Sequence, residues 1–198
     1  MIKPARQSRR RPSPRTLFLL HVSLREVAPS VWRRVAVAGA SSLADLHVVL
    51  QVVMGWDFKH LYSFTVGERV YEDPQGEDRD TSSPDPRKTR LDSLGLEQGG
   101  TFLYTYDFGD EWNHQVTVEG IAPFQGFATA VTLLGGERAC PPEDCGGPHG
   151  YMQLLEALRN PDSPDARERL DWLGRFDPDA LDLRRIARAL EPPPSRAV

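Results

Sequence analysis

Residues Tyr104 to His114, YTYDFGDEWNH, set Asp107, Asp110, Trp112 and His114 around one Phe-Gly pair. Carboxylates and an imidazole so close together are the donors of a hydrolytic or metal-binding loop, and Asp and Gly are also the residues of a tight turn. Two further histidines could join them. His47 falls between Leu43, Leu50 and Met54 on the apolar arc of a helical pattern, and His60 shares strand parity with Tyr62 and Phe64. His114 shares parity with Trp112, Val116 and Val118, so His47, His60 and His114 are all expected to face one core. Buried imidazoles need partners, which leaves a hydrogen-bonded core network or a three-His metal site. A second constellation, CPPEDCGGPH, offers Cys140, Cys145 and His149 as metal candidates, with Glu143 and Asp144 as acids beside the cluster. Its Cys spacing is looser than that of structural zinc sites, and Pro148 after Gly146-Gly147 reads equally as a helix start.

The elements that must position these residues follow from periodicity. Phe18, Leu20, Val22 and Leu24 alternate with more polar residues, and Val31, Val35 and Val37 repeat the alternation beyond a turn near Pro29, predicting an antiparallel hairpin. Ser42-Leu43-Ala44-Asp45 has the form of a capping box opening a helix that Gly55 closes. A strand through Tyr62, Phe64 and Val66 turns at Gly67. A polar loop spans Glu72 to Lys88, and two long strands flank YDFGDEWN. A three-residue hairpin loop with Gly109 at positive φ sets Tyr104 opposite Trp112 and Phe102 opposite His114. Ser163-Pro164 and Asp177-Pro178 each predict a further short helix. The fold class expected is therefore α+β: a mixed, largely antiparallel sheet crossed by one helix, β-grasp-like, with C-terminal helices. Its parts are a basic arm (1–15), a domain (16–160) and a helical extension (161–198).

The arm carries Lys3, Arg6, Arg9, Arg10, Arg11 and Arg15 without an acid, so the net charge of −4 divides into +6 there and, with 18 bases against 28 acids, −10 elsewhere. Arg6, Arg9, Arg10, Arg11 and Arg15 are thus candidates for nucleic-acid contact, whereas the acidic body speaks against a broad DNA-binding face. Two cysteines and no long apolar run predict a cytoplasmic protein with reduced thiols and no membrane partner. Phosphate-binding GxxxxGK[ST], GxSxG and HExxH are all absent.

The ordered motifs VWRRV, SLADLHVVLQVVMGW, HLYSF, YDFGDEWNH and CPPEDCGGPHGY resemble the plasmid pRi open-reading-frame-three-like family, over about residues 16–160. That family includes TnpR-like passenger proteins of insertion elements. The resemblance implies an α+β fold and an association with mobile DNA, and it supplies no reaction; neither a serine-recombinase nor a tyrosine-recombinase signature is present. Two functions are compatible with these readings. One is an accessory or binding module of mobile elements, contacting nucleic acid or a mobile-element protein and requiring no cofactor. The other is a metal-assisted hydrolase using a divalent metal held by the buried His/Asp cluster.

Overall fold

The computed structural model describes residues 15–76, 80, 82–124 and 131–191. Strands β1 (Arg15–Leu24) and β2 (Trp32–Ala38) lead into helix α1 (Leu43–Met54), then β3 (Tyr62–Val66), β4 (Arg69–Glu72), β5 (Thr101–Tyr106), β6 (Trp112–Phe124) and β7 (Val131–Glu137). Helices α2 (Gly147–Arg159), α3 (Ala166–Leu173) and α4 (Leu183–Ala189) follow. The strands form one seven-stranded sheet in the order β4-β3-β5-β6-β1-β2-β7. Every pairing is antiparallel, so the α+β class and the largely antiparallel sheet expected from the sequence are present, without the parallel pairing that a mixed sheet needs. The 13-residue β6 is the central strand, long enough to pair with β5 through Thr117 and with β1 through Phe124, which places the first strand inside the sheet between β6 and β2.

Helix α1 forms as local chemistry dictates. Ser42 accepts from the Asp45 amide while the Asp45 carboxylate accepts from the Ser42 amide, and Gly55 ends the helix at φ 93°. Its buried Leu43, Leu46, Leu50, Val53 and Met54 join Phe18, Leu20, Val22, Phe64 and Val116 from the sheet in one core. Each such side chain contributes about 1.5–3 kcal/mol on burial.

The β5–β6 hairpin departs from expectation by two residues. Tyr106 pairs with Trp112 and Tyr104 with His114, leaving a five-residue loop, 107–111. Positive φ belongs to Asp107 (58°) and Glu111 (52°), not to Gly109. Asp107 tolerates this conformation because its Oδ1 accepts from the amides of Gly109 (2.9 Å) and Asp110 (3.3 Å), while the Glu111 amide donates to the Asp107 carbonyl at 2.7 Å. A slip of two preserves side-chain parity, so the aromatic residues keep to the same face of the sheet.

The C-terminal helices start later than the Pro-based signals predict. Helix α3 opens at Ala166, and α4 opens after Asp182, whose Oδ1 accepts from the Arg185 amide at 2.9 Å, in place of Asp177-Pro178. They also share the core: Phe176, Ile186 and Leu190 pack against it, and the Ala139 amide donates to the Pro178 carbonyl. Of the expected arm, Arg6, Arg9, Arg10 and Arg11 lie outside the described residues; the backbone of Arg15 already belongs to β1, opposite Phe124. No helix among the described residues is long and apolar enough to cross a membrane.

Candidate functional site

The hairpin tip, the loop entering β3 and the loop entering α2 meet at one end of the sheet. His60 is placed there by its neighbour strand. The Tyr106 hydroxyl accepts from the amides of Lys59 (3.0 Å) and His60 (3.3 Å) and donates its own proton to Glu143 Oε1 at 2.7 Å. Glu143 Oε1 also accepts from the Asp57 amide, and Oε2 lies 3.2 Å from Lys59 Nζ. Glu143 is therefore a clamp between two loops: Oε1 accepts two hydrogen bonds, while the buried Oε2 has only the ion pair with Lys59 and no hydrogen-bond partner among the described residues. Asp144, next in sequence, holds φ 59° and points its carboxylate the other way, to 3.2 Å from His60 Nε2.

Asp107 divides its carboxylate between two tasks: Oδ1 closes the hairpin turn and Oδ2 lies 3.5 Å from His60 Nε2. Neither carboxylate meets that nitrogen with hydrogen-bond geometry, so the buried Nε2 atom has no hydrogen-bond partner among the described residues. The ligand atoms of His60, Asp107 and Asp144 all lie within 4.8 Å of one another. Asp110 serves the scaffold instead. Its Oδ2 accepts from the Gly146 amide at 3.2 Å, docking the hairpin tip on the start of α2.

The three-His arrangement expected from parity does not form. Among the described residues no cluster unites His47, His60 and His114 at metal-ligand distances. His47 stacks on Tyr62 at 3.8 Å between ring centres, with Nδ1 2.8 Å from the Tyr104 hydroxyl. Gln51 Nε2 donates to that same hydroxyl at 3.1 Å, leaving the tyrosine proton for His47 Nδ1 and the imidazole's own proton on Nε2. Burial pushes the His47 pKa down to about 4, consistent with this neutral form. His114 is fully buried, its Nδ1 3.3 Å from the Tyr104 carbonyl, and burial lowers its pKa to about 4 as well. Trp112 lies equally deep in the core beside Trp56. Histidine parity reports burial correctly for His47 and His114, and burial is what removes them from a common site.

Cys140, Cys145 and His149 are likewise not gathered at ligand distance. Both thiols are free; burial pushes Cys145 up to about 12 and raises Cys140 too. His149 is on α2, its Nε2 2.7 Å from the Gln153 side chain.

Clefts flank the His60 cluster on both sides. One of about 380 Å³ is lined by His47, Phe58, Lys59, His60, Tyr62 and Arg87; another of about 420 Å³ is lined by Asp144, Cys145, Arg169 and Trp172. Sequence reasoning missed Tyr106 and Lys59 as parts of this site. Tyr106 was legible only as a core aromatic, because a hydroxyl that spans two loops leaves no local signal.

An antiparallel sheet with helices packed on its core and a polar cluster at the hairpin end defines an α+β domain. The chain belongs to the plasmid pRiA4b ORF-3-like protein family, whose model matches residues 16–185, as far as the first turn of α4. It is 40% identical over 162 residues to the uncharacterized protein y4hQ of Sinorhizobium fredii (strain NBRC 101917 / NGR234), covering 81% of this chain and 82% of that one. The fold is similar to the crystal structure of the protein of unknown function MM3350 from Methanosarcina mazei Go1, with a TM-score of 0.75 and 32% identity, over 87% of this chain and 97% of that chain.

Proposed function

We propose that the protein binds a divalent cation through His60, Asp107 and Asp144 and acts as a metal-assisted hydrolase. The observation that carries this reading is the convergence of one imidazole nitrogen and two carboxylate oxygens within 4.8 Å, with the His60 Nε2 atom buried and lacking a hydrogen-bond partner among the described residues. Three protein ligands leave coordination positions for water, as catalytic sites do, and one nitrogen with two oxygens suits zinc or manganese. A cation held there lowers the pKa of bound water, and the flanking clefts give a substrate access to it.

The test is titration of chelator-treated, untagged protein with zinc or manganese by calorimetry, alongside thermal melts. One cation per chain is expected, with a stabilisation of about 2.7 kcal/mol when free metal is 100 times Kd. Asp144→Asn should weaken binding at least about tenfold without lowering the metal-free melt, because the Asp144 side chain is 62% exposed. Unchanged affinity in Asp144→Asn and His60→Ala would remove the site.

A second reading, an accessory module of mobile elements akin to TnpR-like passenger proteins, is supported by a different observation. Strands β4 and β7 end the sheet without a further strand among the described residues, exposing Val70 and Leu134, and such edges accept a partner strand. The basic residues 1–14 add charge for a nucleic acid. Deleting residues 1–14 should then leave the melt intact and abolish salt-dependent affinity for duplex DNA. Absence of DNA affinity in the full chain at low salt counts against nucleic acid as the partner.

A further inference from the structure

Arg33 is on β2 with its side chain turned into the core, 1% exposed. Its Nε donates to the Val53 carbonyl at 2.7 Å, and its Nη1 donates to the carbonyls of Trp32 (2.7 Å) and Glu137 (3.0 Å). No carboxylate among the described residues forms an ion pair with it, and its hydrogen bonds to them are made by Nε and Nη1, leaving Nη2 free toward accessible space. Guanidinium stays charged in proteins, and a buried charge without a counter-charge is costly. Val53 is in the last turn of α1, so the negative pole of that helix offsets part of this cost. The two N–H groups of Nη2 remain outside that arrangement. Room for the stem is built in: a Cβ at Gly136 of β7 would stand 2.8 Å from Arg33 Cδ.

The same guanidinium lines a cavity of about 470 Å³ between α1, the segment before α2, and α4. Its walls mix apolar and polar groups: Val52, Met54, Trp56, Leu181 and Ile186 supply the apolar part, and Arg185 adds a second cation. The one carboxylate in the lining, Asp182, has its Oδ1 engaged as the α4 cap. A cleft of this size that sets two cations beside apolar side chains has the makings of a small-molecule site.

We propose that this cavity binds an amphipathic organic anion, a carboxylate or sulfonate on an apolar body, with the acidic group on Arg33 Nη2 and the body against Met54, Trp56 and Ile186. Arg33 then supplies charge-assisted recognition, and Arg185 attracts the anion from the helix side. The site is separate from the His60 cluster, since the two share no lining residue.

Titration of the full chain with 1-anilinonaphthalene-8-sulfonate tests this, with N-phenyl-1-naphthylamine as the same rings without the sulfonate. Saturable binding of one sulfonate probe per chain is expected, with the neutral amine at least about tenfold weaker, the loss of roughly one charge-assisted contact. Arg33→Met should weaken the sulfonate by a similar factor and leave the amine unaffected. Because removing a buried arginine can disturb folding, Ala180→Trp offers a second variant: Ala180 lines the cavity and is exposed, so a tryptophan there should fill the space and exclude both probes. Asp144→Asn should change neither. No saturable binding, equal affinity for the two probes, or full sulfonate affinity in a folded Ala180→Trp would each overturn the proposal.

Discussion

Gly147→Ala is expected to destabilise the protein by about 3 kcal/mol or more and to abolish cation binding in the same step. The residue opens α2 at φ 65°, and a Cβ there would stand 2.3 Å from the Asp110 carbonyl oxygen and 3.2 Å from its carbon. Left-handed backbone alone costs an L-residue roughly 1–2 kcal/mol. The greater part of the effect is steric, because the obstacle is backbone and no rotamer change relieves it. The hairpin tip must therefore part from α2, which also breaks the Asp110 Oδ2 contact with the Gly146 amide and moves Asp144 away from Asp107 and His60. Gly55→Ala is the matched control: φ is 93° there, yet nothing lies within 4 Å of the added carbon. It should show the strain alone, about 1 kcal/mol, with cation affinity retained. Denaturant melts of the two variants measure the difference, and equal losses would mean that the tip does not bear on α2.

Acidification should unfold the protein well before its carboxylates are exhausted. His47 and His114 are held neutral by burial, each at about 4, against about 6.5 in an unfolded chain. The folded pKa values are depressed, so between those limits the unfolded state binds more protons and stability rises with pH. The contribution is complete above about pH 6.5 and is lost as pH falls toward 4, on the order of 3 kcal/mol for each imidazole. Carboxylates titrate in the lower part of the same window, so the informative quantity is the difference between wild type and His114→Leu. The variant should show a shallower dependence of unfolding free energy on pH between 6.5 and 4, by up to one proton. Parallel curves for the two proteins would show that His114 does not ionise on unfolding as its burial requires.

What neighbours in sequence can settle, the sequence settled. The α1 boundaries rest on hydrogen bonds between Ser42 and Asp45 and on one left-handed glycine, all within the helix's own ends. Strand alternation placed Phe18, Leu20, Val22 and Val35 in the core and sent His114 inward, and helical spacing did the same for His47, because a period of two or 3.6 residues is a property of the chain alone. The same alternation through Val31, Val35 and Val37 puts Arg33 on the inner face, a signal present in VWRRV that charge obscures, since a buried arginine is rare. The ordered motifs likewise marked the family over most of its length.

Only the tertiary structure decided the rest. The loop at Asp107 could close over three residues or five with the same parity, and what selected five was Asp107 satisfying the turn amides while docking against the loop that carries His60. The sheet's strand order depended on β1 reaching β6, a pairing across about half of the chain. His60, Asp107 and Asp144 are far apart in sequence, and they meet through the Tyr106 hydroxyl, the Glu143 clamp and the close approach at Gly147. Such contacts are long-range and leave no periodicity. The sequence therefore determined which apolar residues are buried and where α1 begins and ends, and packing between distant segments determined which polar groups face one another.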